Sequence, residues 1–196
     1  LSISSQISSS QVEESTKQAF YNLAKQKIEE KITETPHDAR YLVFAGSFFN
    51  RFGQTDEAIK YLERAILESP SKQSILFELG SSYIAKGELN KMFELFKKAY
   101  ELKPSILESK IIYAIAAIYT KNFAVLEEMS KEISAETIIG DNRFLQAYAA
   151  INDYQSVINI LNERLKRNPK SSQDKLSLAS VYATIGQKQK AVDIIR

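Results

Sequence analysis

Four prolines punctuate the 196-residue chain, and three of them, Pro36, Pro70 and Pro104, stand 34 residues apart. The fourth, Pro169, lies 65 residues beyond Pro104, two such periods less three residues. Glycine keeps the same interval: Gly46 to Gly80 and Gly53 to Gly87 are each 34 residues, and Gly186 follows Gly87 by three periods less three. A chain marked at constant pitch repeats one structural unit. A unit this short cannot shield its own apolar face, so stacked neighbours must do it together.

Each period holds two sets of apolar residues at helical spacing. Leu42, Ala45, Phe49 and Phe52 form the first, and Ala58, Ile59, Leu62, Ala65 and Ile66 the second, in the three- and four-residue steps of a buried helix face. Gly53 falls between the sets, where a sharp turn resists a side chain, and Pro70 ends the second. No useful stretch alternates with period two, and Asn-Gly and Asp-Gly turns are missing, so strands are not expected. The expected fold class is all-α, with antiparallel helix pairs stacked as a solenoid. Gly46, Gly80, Ala114 and Ala179 share one lattice position and Phe49, Tyr83, Tyr148 and Tyr182 another, which places small residues where helices approach and large ones beside them. Ser105 to Glu108 and Ser10 to Glu13 read as capping boxes. Asp56 with Lys60 and Glu94 with Lys98 read as exposed pairs.

Read in order, residues 1–9 are a flexible Ser-rich linker. Residues 10–196 are one repeat domain, opened by a leading helix over 10–35 with Phe20, Leu23, Ala24, Ile28 and Ile32 on one face. Repeats follow at about 39–72, 73–106, 107–137, 138–171 and a truncated 172–196. The third loses three residues and its closing Pro, so the seam at 134–141 is expected to be a hinge or a bend, or simple drift in a repeat that still packs. The chain starts at Leu1 and ends inside an amphipathic pattern, which reads as an excerpt of a longer protein.

A 34-residue helix–turn–helix with a small residue, an aromatic three positions later, then Gly, Ala and a closing Pro resembles the tetratricopeptide repeat. Leu42, Ala45-Gly46, Phe49, Gly53, Ala58, Leu62, Ala65 and Pro70 carry the resemblance, as do Leu76, Leu79-Gly80, Tyr83, Gly87, Met92, Phe96, Ala99 and Pro104. The resemblance implies a right-handed superhelix that binds a protein or peptide on the face lined by first helices, acting as a non-catalytic scaffold. More narrowly, the run from Asp38 to Pro70, with SILFELGSSY and FKKAYELKP, resembles the C-terminal repeat region of bacterial O-antigen ligase-like membrane proteins. That implies an accessory domain tethered through a preceding membrane portion, with no catalytic residue in these positions.

Counting along the lattice gives the groove candidates. They are Arg40, Val43, Ser47, Asn50 and Arg51 in the first repeat, and Phe77, Ser81 and Ile84 in the second. The third supplies Ile111, Ile115 and Ile118, and the fourth Asn142, Arg143 and Gln146. Together they predict a largely apolar groove with polar ends, suited to a helix or extended segment; the alternative is that the large apolar members pack on neighbouring helices. Some relatives grip a C-terminal carboxylate with a Lys/Asn/Arg clamp. The matching positions hold Val43, Ser47, Glu78, Glu108 and Ile112, which cannot do so.

Composition removes other chemistries. There is no Cys and a single His, His37, so thiolate zinc, disulfides, Cys nucleophiles and His clusters are excluded. Neighbouring carboxylates such as Glu29-Glu30 and Glu127-Glu128 diverge around a helix, and the glycines are isolated. No catalytic, cofactor-binding or metal-binding residue is expected. With 26 basic against 24 acidic residues, the chain lacks the basic excess of a nucleic-acid binder. Groove positions 43, 77, 111 and 142 hold no recurrent polar reader. Arg164, Lys166, Arg167 and Lys170 read as a solvated basic run near a helix end. Ile111 to Tyr119 is the longest apolar stretch, about half a bilayer span, so it reads as a buried helix or a contact patch rather than a membrane helix.

Overall fold

A computed structural model describes residues 13–196, and within them the chain forms twelve α-helices and no strand. The Ser-rich linker and the Ser10 capping residue lie outside the described residues. The chain divides into two units, Leu1–Pro104 and Ser105–Arg196.

The first unit holds α1 (Glu14–Glu34), α2 (Ala39–Arg51), α3 (Thr55–Glu68), α4 (Gln73–Lys86) and α5 (Leu89–Leu102). Each helix packs on the next in order through α4, α4 pairs with α5, and α2 also touches α4. Leu42, Ala45, Phe49, Ala58, Leu62 and Ala65 are wholly buried between α2 and α3. Gly46 sets how closely that pair approaches, since a Cβ there would stand 2.4 Å from Leu62 Cγ. Aromatic rings fasten α1 to α2: Tyr21 stacks on Phe48 at 5.7 Å and meets Phe52 at 5.2 Å. Phe49 in turn stacks on Tyr61 of α3 at 5.4 Å. Such ring pairs add about 0.5–1.5 kcal/mol each beyond their buried area. Leu23, read as part of the buried face of α1, is 59% exposed. The other four residues read on that face, Phe20, Ala24, Ile28 and Ile32, do pack on the core.

The second unit holds α6 (Leu107–Tyr119), α7 (Phe123–Glu132), α8 (Ala135–Gly140), α9 (Asn142–Ala150), α10 (Tyr154–Arg167), α11 (Ser172–Thr184) and α12 (Lys188–Ile195). Residues 111–118 of α6 are all buried, and α6 packs on α7 and α9. A helix apolar on every side belongs in an interior, so the Ile111 to Tyr119 run is core. The expected capping box at Ser105 does not form: the N-cap of α6 is Ile106, without a side-chain bond, and Glu108 is engaged by Arg143 instead.

The seam at 134–141 is a short capped helix. Ser134 Oγ accepts from the Thr137 N–H, Asp141 accepts from the Arg143 N–H, and Arg164 Nε donates to the Ile139 carbonyl (2.5 Å). It therefore lies pinned against α10 rather than free to hinge. Arg164 also departs from the solvated basic run. Its guanidinium reaches Asn142 Oδ1 (2.6 Å) and Asp174 Oδ1 (3.8 Å), while Lys166, Arg167 and Lys170 stay exposed.

All five helix-pair turns close alike. Gln54, Glu88, Asn122, Asp153 and Gln187 donate their N–H groups to the carbonyls of Phe49, Tyr83, Ala117, Tyr148 and Tyr182, at 2.8–2.9 Å. The residue before each donor bonds three positions back and has left-handed φ: Gly53 71°, Gly87 78°, Lys121 54°, Asn152 60° and Gly186 81°. These are Schellman closures, in which orphan helix carbonyls find backbone donors. Lys121 takes up a conformation that costs an L-residue about 1 kcal/mol. Lys121→Gly is expected to stabilise the protein by about 0.5–1 kcal/mol, read as a raised urea midpoint; an unchanged or lowered midpoint would contradict the strain.

Candidate functional site

The first helices of the two helix pairs in the first unit, α2 and α4, lie against one another. A polar link joins them: Asn50 Nδ2 donates to Ser82 Oγ at 2.7 Å, and the Ser82 hydroxyl donates to the Glu78 carbonyl at 3.0 Å. Ser82 is buried, so this bond fixes the register of the two helices in a setting where an unpaired hydroxyl would be costly. Beside it, Ser47, Phe77 and Ile84 are half-buried and Ser81 is exposed. The Ser81 hydroxyl donates back to the Phe77 carbonyl at 2.9 Å. Val43 is half-buried against the core cluster, and Arg51 is exposed at the helix end. Arg40 is held by its own N-cap, donating to Asp38 through Nε (3.0 Å) and Nη2 (2.7 Å). The first unit thus presents small hydroxyls and two half-covered apolar side chains on adjoining helices.

The second unit treats its candidates differently. Ile111, Ile115 and Ile118 are 4%, 4% and 1% exposed and form no open groove. The lattice count placed them correctly on the first helix, but burial is decided by the helices packed around it, and α6 is enclosed. Asn142 Oδ1 is taken by Arg164. Arg143 spans Glu108 and Asp141, donating to Glu108 Oε2 at 3.0 Å and to Asp141 Oδ2 at 2.7 Å. Its hydrogen bonds hold the Asp141 carboxyl below the usual carboxylate range, and the two carboxylates raise the guanidinium in turn. Gln146 is exposed. Arg143 therefore ties α6 to the start of α9 and is not free at a surface. The candidate face is that of α2 and α4.

Sequence reasoning missed two features of this region. Tyr83 Oη donates to Glu63 Oε1 at 2.5 Å, and burial followed by that bond raises the phenol above its ordinary value. The aromatic cluster around Phe48 was legible only as scattered rings, because its partner Tyr21 lies on the leading helix. No helix among the described residues is long and apolar enough to cross a membrane. His37, in the turn after α1, meets Glu68 Oε1 at 2.8 Å on the surface.

The tetratricopeptide-repeat profile matches residues 39–72 and 73–106, the spans of α2–α3 and α4–α5 with their closing prolines. Residues 39–106 form two tetratricopeptide repeats. The tetratricopeptide-type fold extends further. A tetratricopeptide repeat protein from Parabacteroides merdae ATCC 43184 is similar over 91% of this chain and 72% of its own, with TM-score 0.70 and 18% identity. MamA from Desulfovibrio magneticus RS-1 covers 80% of this chain and 90% of its own, with TM-score 0.55 and 14% identity. YrrB, described as a TPR protein with an unusual peptide-binding site, covers 85% and 88%, with TM-score 0.52 and 13% identity. At these identities the likeness concerns fold alone. No curated protein matches the sequence.

Proposed function

We propose that this tetratricopeptide-type domain is a non-catalytic interaction module that takes a peptide or helix on the α2–α4 face. The observation that carries the reading is the pair of exposed or half-exposed hydroxyls, Ser47 and Ser81, flanked by half-covered Phe77 and Ile84 on helices locked by the Asn50–Ser82 bond. A preformed surface that offers apolar side chains beside a few polar groups binds a chain segment with little ordering cost of its own. The likeness to YrrB, a TPR protein with an unusual peptide-binding site, supports the same class of activity. The narrower reading, an accessory domain of an O-antigen ligase-like membrane protein, rests on its quoted sequence run and draws no support from the profile or the matched structures.

The test is selection of binders from a displayed random-peptide library. Ser81→Arg fills the face from an exposed position, and Phe77→Asp places a charge in it. Selected peptides are expected to lose at least about tenfold in affinity to either variant while circular dichroism stays unchanged. Peptides that bind both variants as they bind the parent would refute the face. Ile111 is unsuitable for such a test, because a buried Asp there would unfold the helix around it.

A further inference from the structure

A second surface of the first unit lies across α4 from the candidate face. Leu79 and Tyr83 of α4 form the floor of a groove of about 850 Å³, with α3 and α5 as its walls. On the helix they stand opposite Phe77, Ser81 and Ile84, so the groove is separate from the α2–α4 face. Its charged lining is balanced, Glu63, Glu94 and Glu101 against Lys91, Lys97 and Lys98. A lining without net charge neither draws nor repels a partner as a whole, which leaves the order of its charges to select one.

That order is symmetric. Along the exposed ridge of α5 the charges run Lys91, Glu94, Lys98, Glu101, on one stripe of the helix because the steps are of three and four residues. Beside a second α5 running the opposite way, about a two-fold level with Phe96, every acid faces a base. Glu94 meets Lys98 of the second copy, Lys91 meets Glu101 of the second copy, and each contact occurs twice. A parallel alignment in the same register would set like against like. The inner two charges are available for this. Glu94 and Lys98, read from the sequence as a pair along the helix, are both exposed, and neither makes an ion pair or hydrogen bond among the described residues. The outer two are already engaged: Lys91 meets Glu88 at 2.6 Å and lies over the Tyr83 ring, and Glu101 meets Lys97 at 3.9 Å. The inner pair therefore carries the selection. Apolar surface accompanies it, since Leu95 lines the groove half-buried and Leu102, two turns along the same side of α5, is 37% exposed.

We infer that this groove is the contact between two copies of the chain, paired antiparallel through α5. It does not depend on the α2–α4 face. Exposed ion pairs each contribute little, so the dimer is a weak one, and sedimentation equilibrium of the full chain reads it at concentrations up to about 1 mM. Glu94→Lys and Lys98→Glu, both at exposed sites, should each weaken self-association at least about tenfold, because either variant sets two like-charge contacts across the two-fold. Mixed in equal amounts, the two variants should associate with each other as tightly as the parent does with itself, since each supplies the charge that the other lacks. Added salt should weaken the parent dimer, and Ser81→Arg should leave it unchanged. A parent that stays monomeric would overturn the inference, as would single variants that dimerise like the parent or a mixture no tighter than its components. Indifference to salt, or loss of the dimer on Ser81→Arg, would overturn it equally.

Discussion

Gly80→Ala is expected to destabilise the first unit by about 2–3 kcal/mol, the cost of overpacking a core that cannot give way. The added Cβ would stand 2.0 Å from Phe96 Cε1 and 2.7 Å from Cδ1 and Cζ. The ring is 3% exposed, so it has no solvent to move into. Urea unfolding measures the loss. Phe96→Leu shortens the obstacle, and combined with Gly80→Ala it should cost less than the sum of the two single changes by more than about 1 kcal/mol. Gly140→Ala, with nothing within 4 Å of its Cβ, is the control and should shift stability by less than about 0.5 kcal/mol. Additive single effects would show that helix spacing is not set by this contact.

Arg164→Ala should cost the second unit about 2–4 kcal/mol, because it strips charged hydrogen bonds from partly buried acceptors. The guanidinium serves the Ile139 carbonyl, Asn142 Oδ1 and Asp174, so three helices and the seam lean on one planar fork. Its Nη2 is buried with no partner among the described residues, a desolvation cost already carried for the sake of the other bonds. Arg164→Lys is expected to recover less than half of the loss, since one ammonium cannot reproduce the fork. Hydrogen exchange locates the effect: amides of residues 135–142 should lose protection while those of α2 and α3 keep it. Uniform loss across the chain, or none, would reject Arg164 as the fastener.

Much of this architecture is legible in the sequence, for a physical reason. Close helix approach demands a missing Cβ at Gly46 and Gly80, and helix ends favour Pro and Gly, so the packing constraints surface as countable residues. Lys121 and Asn152 show the limit of such counting. The lattice marks their turns, yet residue identity hides them, because backbone hydrogen bonds impose the left-handed conformation on residues that merely tolerate it. The groove candidates show another limit. Position in the repeat fixes which helix carries Ile111, but not how many neighbours enclose that helix. Arg164 shows a third, since its charge is indistinguishable from that of Lys166 until Ile139, 25 residues earlier, comes into contact. On α2 and α4, where two regular repeats adjoin, the candidate positions stay at least partly open; on α6 the isoleucines are enclosed by neighbouring helices, and on α9 Asn142 and Arg143 are engaged by side chains of other segments.

The five Schellman closures draw only on main-chain donors and acceptors. A cut made just after one of them and rejoined just after another leaves the same backbone at the joint, whatever side chains flank it. Genes for such proteins can thus lengthen or shorten by whole modules without inventing a new junction, and the span lost in the third module was shed between closures, leaving each joint intact.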